Sequence, residues 1–210
     1  MDCKNNTLLN NASVKNPFKA WLSELLLSRE YFKGPSGKPL YSYQISESEY
    51  ESLRDLLKQN TALFGSAVYA GYVAACWCLF VSEQYRRNYN SSWSWSGAEG
   101  ELAVELTPAQ HANFTQKGLE YWGRPILHRS NGRDWLGSLF IEGGLPWPLV
   151  KSDSHGFGRA VRGGIKNYYK TEGSRYTTAD LIAEYERYLP ITFRNLETRQ
   201  LLAGIVDQLM

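Results

Sequence analysis

Cysteine is scarce in this chain: three in 210 residues, an odd count with no paired spacing. Cys76 and Cys78 sit inside an apolar run, so they read as buried, reduced thiols of a cytoplasmic protein rather than as disulfide partners. The C-x-C spacing, with no second pair and no nearby histidine, is poor for zinc. Histidine is equally rare. His111, His128 and His155 are far apart and lack metal-ligand spacing, so no metal and no cofactor is expected. The net charge is only +2, which limits any nucleic-acid surface to a local patch. The N-terminus lacks the apolar core of a signal peptide. Without an export signal, the N-x-S/T triplets at Asn5, Asn11, Asn90 and Asn113 carry little weight. No G-K-S/T follows the glycines of Gly156-Phe157-Gly158 or Gly163-Gly164, and Ser154-His155-Gly156 has no G-x-S-x-G partner, so neither an NTP site nor a serine nucleophile is indicated. There are no internal repeats.

What is present points to a mainly α-helical fold. Hydrophobic residues make up 43% and charged residues 21%, enough for a globular core without staples. Residues 1–15 are polar and Asn-rich and read as a flexible tail, leaving one helical domain over 16–210. Asn16-Pro17 is a cap followed by proline at the first helical position, opening a helix expected to fade near Phe32. Ser46 to Glu49 is a capping box for a helix to about Asn60. Residues 59–82 carry no charge. The run is long enough for a membrane span. Its Gln59, Asn60 and Thr61, its mid-length Tyr69 and Tyr72, and its many small residues favour a buried central helix over 62–81 that continues into Ser82–Tyr89. Thr107-Pro108 starts another helix, expected to stop at Gly118.

The densest composition lies in Tyr121–Val150, which holds three of the seven tryptophans, three of the eight prolines and five glycines. Pro125 disfavours helix, so 121–129 is expected to be extended, and Ser130-Asn131-Gly132 is a turn signal. Together they predict a small irregular or β-hairpin element over 121–134. Asp134 caps a short helix to Glu142, Gly143 ends it, and Leu145–Pro148 forms a stiff connector. Three further helices follow: 157–170, one from Thr177 or Thr178 to Leu189, and one from about Thr192. About seven helices result. The apolar pattern runs up to Met210, which fits either the N-terminal part of a longer protein or a last helix docking on the core.

Candidate functional residues are few. Arg159, Arg162, Lys166 and Lys170 recur at intervals of three, four and four, opposite the stripe Phe157-Val161-Ile165-Tyr168. Such a face could neutralise phosphates of DNA or RNA, with Tyr169 and Tyr176 stacking on bases; the plain reading is a solvated helix face. Arg124, Arg129 and Arg133, with His128, form a second cationic set suited to anions, or to pairing with Glu120 and Asp134. Glu142 before Gly143-Gly144, with Asp134 as a weak partner, is the only arrangement from which a metal-dependent nuclease could be built. Helix termination explains the same residues more simply. Trp93 and Trp95, if extended, would face one side as an aromatic clamp, though packing is the more usual use of such a pair.

Cys76-Trp77-Cys78-Leu79-Phe80, Trp93-Ser94-Trp95, Tyr121–Pro125 and Ser138–Trp147 resemble the N-terminal region of large bacterial proteins of unassigned function. These are encoded in mobile genomic islands where anti-phage systems cluster. The similarity runs from about Pro17 to Met210. It implies a cytoplasmic subunit of a defence-type assembly working beside helicase or ATPase subunits, and it transfers no catalytic residue. The leading expectation is therefore a non-catalytic recognition or scaffold domain, with a metal-dependent nuclease and a membrane-anchored protein as alternatives.

Overall fold

The computed structural model describes residues 16–29, 34–89, 93–128, 134–151 and 156–210. The tail 1–15, Arg129, Arg133, the turn 130–132 and His155 lie outside the described residues. Those described are mainly α, with ten α-helices and no strand among them. No hairpin therefore occurs in the described parts of 121–134.

The helix starts follow local chemistry. Asn16 Oδ1 accepts the Lys19 N–H at 3.0 Å, opening α1 (Pro17–Leu27). Reciprocal capping boxes open α2 (Glu47–Gln59) at Ser46 and Glu49 and α5 (Pro108–Trp122) at Thr107 and Gln110. Between them lie α3 (Ala70–Asn88) and α4 (Trp95–Leu102). After them come α6 (Asp134–Gly143), α7 (Trp147–Lys151), α8 (Phe157–Lys166), α9 (Thr178–Ala183) and α10 (Leu196–Leu209).

The central helix is α3, buried without interruption from Val73 to Tyr85. It starts eight residues later than the uncharged run implied. Asn60 closes α2 by donating from Nδ2 to Leu56 O, a 3₁₀ turn follows at Thr61–Leu63, and Val68 is 80% exposed. The run from Asn60 to Tyr69 is thus turn, mostly at the surface, with Phe64 buried. The helix extends at its other end through Glu83, Arg86 and Arg87. Among the described residues no helix is long and apolar enough to cross a membrane.

Glycine sets how closely neighbours approach α3. A Cβ on Gly118 would stand 2.3 Å from Ala74 O and Cys78 Sγ, and one on Gly143 would stand 2.6 Å from Ser82 O. Gly118 therefore lies inside α5 as a packing contact and does not end it. The helix stops at Gly123, whose φ of 67° provides the left-handed cap. Tyr121 and Trp122 are consequently helical, and the Trp122 indole N–H donates to Ala75 O at 3.0 Å.

Two buried clusters result. The larger one surrounds most of α3 with α1, α2, α4 and α5. The smaller joins Tyr85 and Tyr89, from the end of α3, to Phe157, Ile182, Leu202 and Val206. In this second part the expected long helices are interrupted. The 145–148 connector winds into α7. The 157–170 helix ends at Lys166, where the Asn167 N–H bonds back to Gly163 O and Gly164 O, and Tyr168–Thr171 becomes a 3₁₀ turn. The 177–189 helix ends at Ala183, before a 3₁₀ turn at Glu186–Tyr188. The last helix begins at Leu196, capped by Asn195 Oδ1 on the Thr198 N–H at 2.8 Å, because Ile191–Phe193 forms its own 3₁₀ turn after Pro190.

Trp93 and Trp95 do not form an extended clamp with both indoles on one side. Ser94 is extended, Trp95 starts α4, and both rings enter the packing. Trp95 stacks on His111 at 4.1 Å, and the Trp93 indole N–H donates to Gln84.

Candidate functional site

The basic face is carried by α8, which two glycines press into the second cluster. A Cβ on Gly163 would stand 2.3 Å from the Tyr185 ring, and one on Gly164 would stand 2.8 Å from Val206. Phe157, Ala160, Gly163 and Gly164 point inward, which leaves Arg162 and Lys166 exposed on the opposite side. Arg159 lies half-buried on the same side, with its guanidinium carbon 3.7 Å from the centre of the Tyr188 ring. Arg187, from the 3₁₀ turn at 186–188, approaches the same ring at 4.9 Å. The structure thus gathers Arg159, Arg162, Lys166 and Arg187 around one helix edge. Lys170 departs from it, since it lies beyond the helix end and its Nζ is 3.5 Å from Glu184. Tyr169, in the 3₁₀ turn after the helix, is 66% exposed. Sequence reasoning missed Arg187 and Tyr188 because a turn, not a period, delivers them.

The second cationic set resolves differently. Arg124 Nε donates to Glu142 Oε1 at 2.8 Å and its Nη1 to Gly37 O at 2.8 Å. Glu142 Oε2 accepts the Leu40 N–H at 3.0 Å. Both carboxylate oxygens of this buried residue are engaged, tying α6 to the loop before Leu40 and to the end of α5. Burial pushes the Glu142 carboxyl above its usual range despite Arg124. Asp134 binds His128 instead, Nδ1 to Oδ2, at 2.9 Å. Among the described residues no cluster of three or more histidine, cysteine or acidic side chains could hold a metal ion. Asp134 and Glu142 lie eight residues apart on one helix, with separate partners.

A third feature had no signal in the sequence. A cleft of about 790 Å³ lies along the seam between the two clusters. Phe140 and Ile141 of α6, Leu145, Val150 of α7, Phe193 of the 3₁₀ turn before α10, and Leu201 of α10 give it apolar walls, and Arg86 of α3 is its cationic member. Glu83, buried beneath, is shared by Arg86 at 2.7 Å and Arg87 at 3.2 Å, and burial raises its carboxyl. Both guanidinium carbons stand 4.8 Å from the centre of the Trp147 ring, and Lys151 Nζ stands at 5.4 Å.

Residues 6–145 match the YjiT N-terminal domain and residues 152–210 the YjiT second domain. The chain belongs to the YjiT family. Protein YjiT of Escherichia coli is 32% identical over 196 residues, which cover 90% of this chain and 37% of that relative. The chain therefore spans well under half the length of the relative. No solved structure matches it. The boundary between the two family regions falls at α7, where the larger cluster gives way to the smaller one.

Proposed function

We propose that this part of a YjiT-family protein is a non-catalytic recognition or scaffold domain that holds nucleic acid at the edge of α8. One observation carries the reading: Arg162 and Lys166 are exposed on a single helix face, with Arg159 and Arg187 beside them at Tyr188. Cations at this spacing neutralise successive phosphates, and the exposed Tyr169 ring offers a surface on which a base stacks. The engaged oxygens of Glu142 support a structural rather than catalytic use of the main acid on which the nuclease alternative relies. The wider setting follows the resemblance: a cytoplasmic defence-type assembly in which this region positions nucleic acid for helicase or ATPase subunits.

The double substitution Arg162→Glu and Lys166→Glu tests the reading in a gel-shift titration with labelled DNA and RNA at low salt. Both side chains are exposed, so the fold and its thermal melt are expected to persist. Retention of nucleic acid should be lost. In the unsubstituted chain, the logarithm of affinity should fall against the logarithm of salt with a slope of roughly 0.7–0.9 per phosphate contacted. Unchanged retention by the double variant removes nucleic acid from the proposal.

A further inference from the structure

The cleft at the seam plays no part in holding nucleic acid, yet it is built like a ligand site. Its volume of about 790 Å³ falls within the range usual for small-molecule pockets, roughly 300–1,000 Å³. A seam between two packed units is a common place for one. The walls are mostly aliphatic and aromatic. Several of the apolar side chains left exposed in this chain meet there, among them Tyr41 at 42%, Ile141 at 39%, Val150 at 45% and Leu201 at 50%. Their grouping in one concavity sets them apart from scattered surface leucines.

Arg86 fixes the charge of the occupant. It lines the cleft while sharing the single buried carboxylate of Glu83 with Arg87, and its own Nε–H is buried with no acceptor among the described residues. A buried charged donor without an acceptor is costly, and an anionic oxygen is the acceptor that best offsets it. Glu197 lies at the cleft as well, but it is exposed on the first turn of α10, where water screens it.

We propose that the cleft binds a small amphipathic anion: a carboxylate with an apolar acyl or aryl body, its charged end at Arg86 and its body between Ile141, Val150 and Leu201. Concavity and size favour such a ligand over a protein partner, which would need a broad surface of about 800 Å² on each side.

The 210-residue chain is titrated with anilinonaphthalene sulfonate, read by fluorescence, and the probe is then displaced by decanoate or by 1-decanol. One saturable site is expected, with decanoate displacing about tenfold better than the uncharged alcohol. Ile141→Glu and, separately, Val150→Glu place a carboxylate in the wall at exposed positions that tolerate it, and each should abolish displaceable binding without shifting the melt. Arg86→Met should erase the preference for decanoate over decanol. Absence of saturable binding, equal displacement by acid and alcohol, or binding that survives both wall variants would each overturn the proposal. Retained nucleic-acid binding in the wall variants separates this site from the edge of α8.

Discussion

The two halves of the molecule reach burial by different means. Around α3 the walls are backbone and fixed aromatic rings. Gly118 and Gly143 press helices onto carbonyl oxygens of α3, and buried charges are tied into pairs such as Arg124–Glu142 and Glu83 with its two arginines. Around α8 the walls are side chains. Gly163 meets a half-buried tyrosine ring, Gly164 meets valine methyls, and the ion pairs are a half-buried Arg199–Glu186 and an exposed Lys170–Glu184. A long uninterrupted helix can be clamped rigidly, whereas short helices joined by 3₁₀ turns pack through groups that can still move. The first half should therefore resist change sharply and the second should yield.

Removing a buried charge partner is the harshest way to probe the difference. Glu142→Ala leaves Arg124 without its carboxylate and the Leu40 N–H without an acceptor, and should cost about 3–4 kcal/mol. Denaturant unfolding measures it, and a loss below about 1 kcal/mol would mean the tie is ornamental. Next comes overpacking. Gly118→Ala drives a methyl into Ala74 O, which cannot rotate away, and should cost about 3 kcal/mol. Gly163→Ala meets the Tyr185 ring at the same nominal distance of 2.3 Å, but that ring can swing, so about 1 kcal/mol is expected. Equal losses at the two glycines would break the contrast between backbone walls and side-chain walls.

The same contrast explains what could be read from the sequence. Helix starts were legible at most side-chain caps, as at Asn16, Ser46 with Glu49, and Thr107 with Gln110, although the Asn195 cap of α10 was passed over for Thr192. Some ends were legible too, near Asn60 and at Gly143, but others were not, because an end also depends on what the chain meets in space. Gly118 looks like a stop and is a contact, and the uncharged stretch before Ala70 looks buried and is largely turn. Helix α4 was missed because its Gly-rich segment has no clear apolar stripe. Of the basic face, Arg159, Arg162 and Lys166 were legible from spacing alone. Lys170 was not, since Asn167 ends the helix before it, and Arg187 arrives from a turn 21 residues beyond Lys166. The cleft had no sequence signal, because its walls come from α3, α6, α7 and α10 with no shared period.

The smallest expected effect is one of sign, and it separates one buried acid of the first half from one exposed acid of the second through pH. Burial raises the Glu142 carboxyl above 4.5 in the folded chain, so the fold binds more protons than the unfolded chain between the two values. Its stabilising contribution is therefore complete below about pH 4.5 and is lost as pH rises through the raised value. Asp180, in the second half, behaves oppositely. Hydrogen bonds from the Thr177 hydroxyl and backbone N–H hold it below 3.8, so its contribution is present above that value and is lost as pH falls through the lowered one. Thermal melts of the unsubstituted chain, Glu142→Gln and Asp180→Asn between pH 3 and 7 read both. The melting temperature of the unsubstituted chain relative to Glu142→Gln should fall as pH rises, and relative to Asp180→Asn it should climb as pH rises from 3. Slopes of the same sign in the two differences would mean that Glu142 is held by Arg124 more strongly than burial opposes it.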